Sequence, residues 1–117
     1  MNNATIAGLT QIALRFREAR NWKQFHNPKE LAISLCLEAA EVLEHMQWQS
    51  PAVLEEHLLK NSEELADELA DVLHSVFLLA HDLKIDLGKS FKRKMKKNEA
   101  KYPIAKAKGM AKKYTQL

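Results

Sequence analysis

The sequence predicts an all-α protein, and three observations lead to this class. The 117 residues include only three Gly and three Pro, the residues that most often interrupt helices. Leu, Ala, Glu and Lys, which favour helices, are abundant. Apolar residues recur at a spacing of three and four in several long stretches. A chain of this length is predicted to form a single domain, residues 1–117, with a core of modest size.

The first half of the chain predicts two helices separated by a short break. The first helix is expected from about Thr5 to Arg20, and the segment 21–28 interrupts it. Its apolar residues at helical spacing are Ile6, Leu9, Ala13 and Phe16. Asn27 followed by Pro28 is typical of a helix N-cap with proline at the first helical position. The second helix is therefore predicted to run from Pro28 to about Trp48.

The second half predicts two more helices and a tail. Asn61 or Ser62 suits the cap of the third helix, and the acidic residues that follow are favourable in its first turn. Residues 50–60 are expected to form a short connection, either helical or irregular. Residues 61–83 and 86–101 are expected to form the third and fourth helices. Residues 104–117 are expected to form a tail that is irregular or partly helical.

Two matched pairs of acidic residues dominate the candidate chemistry. Glu38 and Glu41 lie on the second predicted helix, and Glu68 and Asp71 lie on the third. The i, i+3 spacing within each pair places both carboxylates on one face of their helix. If the two helices pack together, four carboxylates converge, and they cannot all stay ionised without a cation. The pairs therefore predict a site for a hard divalent ion, most simply Mg²⁺ with a phosphate-bearing substrate.

The residues around the acids favour a metal site more strongly on the second helix than on the third. On the second helix apolar residues border the acidic stripe on both sides, which is hard to explain as a solvent-facing surface. On the third helix the acids lie opposite a broad apolar arc, as on an ordinary amphipathic helix. There, only the partnership with Glu38 and Glu41 favours a metal site.

Aromatic residues close to the acids have two interpretations. Trp48 lies on the same line of the second helix as Glu41, while Trp22, Phe25 and His26 occupy the preceding break. Tryptophan most often belongs to a hydrophobic core, but an aromatic ring beside a metal–phosphate site also suits stacking against a nucleobase. Periodicity leaves both interpretations open.

Charge is distributed unevenly. Residues 1–83 carry 6 Lys/Arg against 13 Asp/Glu, a net charge of −7, while residues 84–117 carry 12 against 2, a net charge of +10. The basic segment suits contacts with nucleic acid, contacts with a polyphosphate, or a solvated lysine-rich surface. The single Cys36 allows no internal disulfide, and no apolar run reaches about 18 residues, so a cytoplasmic protein without a membrane span is expected.

Five segments in order resemble a known family. The runs 37–48 and 63–73, which contain the acidic pairs, are similar to those of the all-α MazG-like nucleotide pyrophosphohydrolases, and within them to the dCTP pyrophosphatase branch. Segments 20–28, 98–103 and 112–117 match the same branch, so the similarity covers nearly the whole chain. The resemblance implies a bundle of four to five helices, assembled as a homodimer or as a dimer of dimers (a homotetramer), with active sites completed across subunits.

The resemblance also implies an activity and its residues. The reaction is hydrolysis of a deoxynucleoside triphosphate to the monophosphate and pyrophosphate, with Mg²⁺ as cofactor, and its biological purpose would be clearance of unwanted nucleotides. The implied metal ligands are Glu38, Glu41, Glu68 and Asp71. The implied substrate-binding residues are Trp22, Lys23, Gln24, Phe25, His26, Trp48, Lys94, Asn98 and Tyr102. Glu41 or Glu64 would orient or deprotonate the attacking water.

Two departures from the branch bear on the substrate. Where the branch places a His and a Tyr against the nucleotide, this sequence has Ala13 and Ser75. Smaller side chains predict a looser pocket that accepts a second deoxynucleotide beside dCTP. The rival hypothesis is a non-catalytic helical protein that binds a partner or nucleic acid through residues 89–113. It predicts binding that weakens steeply with salt and does not need the carboxylates. With the family resemblance in place, nucleic acid is not the expected partner.

Overall fold

The computed structural model describes residues 4–117, and its regular secondary structure is all helical, as the sequence predicts. No strand occurs within these residues. Six α-helices, numbered α1 to α6, span Ile6–Ala19, Pro28–Glu44, Pro51–Lys60, Ser62–Asp82, Leu87–Lys101 and Ile104–Ala107. Two 3₁₀ turns span Lys23–Phe25 and Tyr114–Gln116.

Side-chain caps set the starts of three helices close to where the sequence places them. The Thr5 hydroxyl accepts a hydrogen bond from the Gly8 amide at 3.0 Å, so α1 begins one residue later than predicted. Asn27 caps α2 through a 2.9 Å bond from the Glu30 amide. Asp86 caps α5 in the same way. Each cap satisfies one amide that has no partner in the first helical turn.

The predicted end of the second helix is wrong. α2 ends at Glu44, four residues before Trp48. The amides of Met46 and Gln47 bond to carbonyls three residues back, at 2.9 and 3.2 Å, so tighter turns replace the α-helical pattern. Trp48 then adopts a left-handed backbone conformation, with φ of 67°, which a helix cannot continue through.

The remaining boundaries follow the prediction within a residue or resolve its alternatives. The connection 50–60 is helical, as α3. The tail is partly helical rather than irregular, because it contains α6 and the second 3₁₀ turn. None of the helices within residues 4–117 is long and apolar enough to cross a membrane.

The helix α4 organises the first of two compact units. This unit ends at Lys84, and in it α4 packs against α2 and α1. Its central cluster of buried apolar side chains is small: Ala13, Leu14, Leu31 and Leu78, with Leu79 packed against them. The second unit is Ile85–Leu117, which contains α5 and α6. That the chain is one functional domain stays a prediction.

The outer face of α2 is apolar and exposed. Leu31 is buried, but Ile33, Leu37 and Leu43 on the same helix are largely accessible. The acidic stripe of α2 is therefore bordered by buried apolar surface on only one side. Several large apolar side chains exposed on one helix are a feature of interaction surfaces.

Candidate metal and nucleotide site

Four carboxylates meet where α2 packs against α4. Glu38 and Glu41 come from α2, and Glu68 and Asp71 come from α4. One oxygen atom of each residue lies within 4.8 Å of the corresponding atoms of the other three. The three glutamates are half-buried and Asp71 is exposed, so the group is open to solvent on one side. The structure thus brings together the four residues that the sequence pairs by spacing alone.

The electrostatics of the cluster suit a cation. Burial raises the pKa of Glu38, and the charges of Glu41 and Asp71 raise it further. A hydrogen bond with Glu41 raises the pKa of Glu68, and burial adds to the effect. The Oε2 atoms of Glu38 and Glu68 are buried and have no hydrogen-bond partner within residues 4–117. Buried acceptor oxygens without donors are costly, and a hard divalent ion satisfies them.

His45 is a neighbour of the cluster to which the sequence analysis assigned no role. Its Nε2 atom lies 3.7 Å from Oε1 of Glu68, and both side chains are half-buried. His45 follows Glu41 by four residues and therefore lies on the same side of the chain as the α2 acids. That spacing is the signal by which the sequence could have indicated it.

An apolar groove about 450 Å³ in volume adjoins the cluster between α1 and α4. Asp71 belongs both to the cluster and to the wall of this groove. The other lining residues are apolar apart from His74, and they include Ala13, Phe16 and Phe77. A ligand whose charged end lies at the carboxylates can therefore place an apolar ring system in the groove.

Trp22 packs against Phe16, one of the residues that line this groove. Its ring meets that of Phe16 edge-on, with centroids 5.7 Å apart, and Phe16 contacts His74 in the same way at 5.8 Å. The guanidinium group of Arg20 lies 3.7 Å above the Phe16 ring. Trp22 is about half exposed, so the core interpretation of this tryptophan does not hold.

The other predicted substrate-binding residues near α2 differ in their surroundings. Phe25 is exposed, and Trp48 is 91% exposed, so neither belongs to the core. The side-chain Nε2 of Gln24 donates a hydrogen bond to the backbone carbonyl of Asn21, at 3.0 Å. Lys23 lies 3.6 Å from Asp82.

The sequence analysis also did not predict a buried ion pair that contacts the segment 21–27. Arg17 and Asp82 share two hydrogen bonds of 2.8 Å, and Arg17 Nη1 lies 3.5 Å from His26 Nδ1. The Arg17 guanidinium holds the pKa of Asp82 below its usual value, while burial lowers the pKa of His26. The sequence offered one signal, because Arg17 follows Ala13 by four residues and so continues the apolar face of α1.

Four predicted site residues lie outside these contacts. Glu64 is exposed in the first turn of α4 and is not a member of the four-carboxylate group. Lys94, Asn98 and Tyr102 belong to the second compact unit. There the Tyr102 ring packs edge-on against Tyr114, with centroids 6.0 Å apart. The roles predicted for these four residues stay predictions.

Comparisons with known proteins agree on one family. The model of the MazG-like family matches residues 33–117. dCTP pyrophosphatase 1 of Rattus norvegicus is 34% identical over 97% of this chain and 68% of its own length, and the Homo sapiens protein is 31% identical over the same shares. The crystal structure of a pyrophosphatase from Archaeoglobus fulgidus superposes with a TM-score of 0.77 at 42% identity, and covers 81% of this chain and 89% of that one.

The helical fold with its four-carboxylate cluster, taken together with these relatives, defines an enzyme of the nucleotide pyrophosphohydrolase class. Within that class, the chain belongs to the MazG-like family. The resemblance seen in its acidic segments is thereby confirmed.

Proposed function

We propose that this enzyme is a Mg²⁺-dependent pyrophosphohydrolase that cleaves a deoxynucleoside triphosphate to the monophosphate and pyrophosphate. One observation carries the proposal: four carboxylate oxygens within 4.8 Å of one another. Two of these residues also have buried oxygens that lack a donor within residues 4–117. The names of the curated relatives favour a dCTP-like substrate, and such an enzyme would act in the cytoplasm to remove unwanted nucleotides.

Each carboxylate has a role in this proposal. Glu38, Glu41, Glu68 and Asp71 hold Mg²⁺, which when bound neutralises the phosphate oxygens and the charge that develops as pyrophosphate leaves. Glu41 orients the attacking water and accepts its proton, with Glu64 as the alternative base.

The base of the nucleotide is proposed to lie in the groove between α1 and α4, with the phosphates at Asp71. Trp22 packs on Phe16 in the wall of the groove, and the small side chain of Ala13 leaves space in that wall. Ser75 is buried on α4. The space beside Ala13 supports acceptance of more than one base. The remaining proposed contacts come from Lys23, Gln24, Phe25, His26 and Trp48, and from Lys94, Asn98 and Tyr102 toward the phosphates or sugar.

Self-association into a homodimer or homotetramer is part of the proposal. The exposed side chains of Ile33, Leu37 and Leu43 on α2 support it, because burial of such apolar surface between subunits is favourable. A small core makes burial between subunits a natural source of further stability.

The experiment that tests the function is pyrophosphate release from a panel of canonical and modified deoxynucleoside triphosphates. It is run with Mg²⁺ and with EDTA, on the wild type and on Glu41→Gln. Release by the wild type alone, and only with Mg²⁺, is expected, and the ranking of rates reports the base preference. No release from any nucleotide by a folded protein would contradict the proposal and favour binding through the basic segment.

Stability without metal provides an independent prediction. The folded state raises the pKa of Glu38 above its ordinary 4.5, so the native protein binds more protons than the unfolded chain. The contribution of Glu38 to the free energy of unfolding is fully present below pH 4.5, and it is lost as the pH rises through the raised pKa. In EDTA at pH 7.5, Glu38→Gln should therefore melt at a higher temperature than the wild type, and the difference should shrink toward pH 4.

The matched control for this measurement is Asp67→Asn, which removes an exposed charge from α4 outside the cluster. Its melting temperature should stay close to that of the wild type. With excess Mg²⁺ the order of wild type and Glu38→Gln should reverse, because only the wild type keeps all four ligands. A Glu38→Gln protein that melts below the wild type in EDTA at pH 7.5 would be inconsistent with repulsion in the cluster.

A further inference from the structure

We propose that the buried Arg17–Asp82 ion pair is a positioning element that holds the segment 21–27 in place, so that Trp22 stays packed on Phe16 in the groove wall, and so promotes nucleotide binding without touching the nucleotide. The inference rests on the proposed function, because it takes the groove as the place of the base. Neither residue is among the predicted site residues, and neither belongs to the carboxylate cluster.

The pair has a fixed geometry. Arg17 lies near the end of α1 and Asp82 is the last residue of α4. The guanidinium donates through both terminal nitrogens to the two carboxylate oxygens, at 2.8 Å each. The side chains are only 4% and 9% exposed. A bidentate pair of this kind fixes orientation as well as distance.

Both members of the pair contact the segment. Arg17 Nη1 lies 3.5 Å from His26 Nδ1, and Lys23 Nζ lies 3.6 Å from Asp82 Oδ2. The backbone carbonyl of Arg17 also accepts a hydrogen bond from the Trp22 amide, at 3.1 Å. The segment is thus attached at Trp22 and Lys23 near its beginning and at His26 near its end.

A chain of ring contacts leads from the segment to the wall of the groove. Trp22 packs on Phe16, which packs on His74. Phe16, His74 and Asp71 all line the same groove. If the segment moves away, Trp22 withdraws from Phe16 and the edge of the groove changes, while the four carboxylates on α2 and α4 stay in place.

Stability alone does not account for an ion pair at this position. Two apolar side chains of similar volume usually match or exceed the stability that a buried ion pair gives, whereas removal of one partner is strongly destabilising. Two apolar side chains, however, cannot direct His26 and Lys23. This difference separates a positioning role from a purely structural one.

The experiment measures steady-state pyrophosphate release with Mg²⁺, well below the melting temperature, for three variants. Arg17→Met breaks the pair, Arg17→Met/Asp82→Leu replaces it with apolar side chains, and Leu78→Ala is a destabilised control in the core. We expect Arg17→Met to raise KM about tenfold while kcat stays within about threefold of the wild type. Leu78→Ala should lower the melting temperature and leave KM unchanged.

The double variant decides between the two roles. Its melting temperature should recover toward that of the wild type, because no unpaired charge is left buried. KM should stay raised, because the contacts to His26 and Lys23 are still missing. A KM that recovers together with the melting temperature would show a purely structural pair and overturn the inference, as would an equal rise in KM for Leu78→Ala. If Arg17→Met does not fold, the double variant carries the test.

Hydrogen exchange gives a readout that does not depend on turnover. The peptide that covers residues 20–27 should exchange faster in the double variant, while the peptides of α2 and α4 that carry the carboxylates should not change. Mg²⁺ affinity should also stay at the wild-type value. Unchanged exchange in 20–27 would overturn the inference. If the wild type releases no pyrophosphate, the proposed function is wrong. If the wild type is active and the double variant has the same KM, only the positioning role is wrong.

Discussion

Asp71→Asn is expected to lower kcat for pyrophosphate release by about 10³-fold or more, because a divalent ion contributes several kcal/mol to stabilisation of phosphoryl transfer and each 1.36 kcal/mol is tenfold in rate. Asp71 is the cluster residue that also lines the groove, so it lies where the phosphates and the base would join. The side chain keeps its shape in this variant, and the fold should survive. Circular dichroism and initial rates on purified protein measure both effects.

The control for this variant is again Asp67→Asn, on the same helix. Asp67 is exposed and is not a member of the carboxylate group. Its activity should stay close to that of the wild type. If the two variants lose activity to the same extent, the effect comes from the negative charge of α4 as a whole, and the assignment of Asp71 as a ligand is wrong.

Leu31→Ala is expected to lower the free energy of unfolding by about 2–5 kcal/mol, the range for truncation of a buried leucine. Leu31 is 3% exposed and is the residue that α2 contributes to the central cluster. A domain of this size is stabilised by about 5–15 kcal/mol in total, so this one substitution removes a large share. Urea denaturation of metal-free protein measures the loss.

Leu59→Ala provides the comparison, because Leu59 on α3 is largely exposed. Its free energy of unfolding should stay within about 0.5 kcal/mol of the wild type. Equal losses for the two leucines would mean that the exposed apolar side chains are buried in the protein in solution. Sedimentation of both variants would then show whether a subunit interface covers them.

The helices could be predicted from the sequence largely because their starts carry local signals. Thr5, Asn27 and Asp86 each cap a helix through a bond to an amide three residues along the chain, and such bonds depend only on neighbours. The end of α2 carries no comparable signal. Residues 45–50 contain no glycine, and the left-handed residue that turns the chain is a tryptophan, which rarely adopts that conformation.

The candidate site shows the same division between local and distant information. The pairs Glu38/Glu41 and Glu68/Asp71 each lie within one helical turn, so spacing alone predicted that each pair shares a face. The packing of α2 on α4 then brings the two pairs together. The ion pair between Arg17 and Asp82 spans 65 positions of sequence. No periodic pattern links residues so far apart, and only the packing of α1 on α4 brings them together.

Within residues 4–117, three residues other than glycine have left-handed backbones, and each follows a helix: Asn21, Trp48 and Lys84. For Trp48 this conformation costs about 1–2 kcal/mol that glycine would not incur. Its ring recovers little of that cost within this chain, because it is 91% exposed. Under selection for heat resistance alone, glycine would therefore be expected to replace Trp48. Two variant libraries would test this, one selected for catalysis and one selected only for heat resistance. If the indole is kept in the first and lost in the second, the side chain at position 48 serves a function that outweighs the free-energy cost of its backbone conformation.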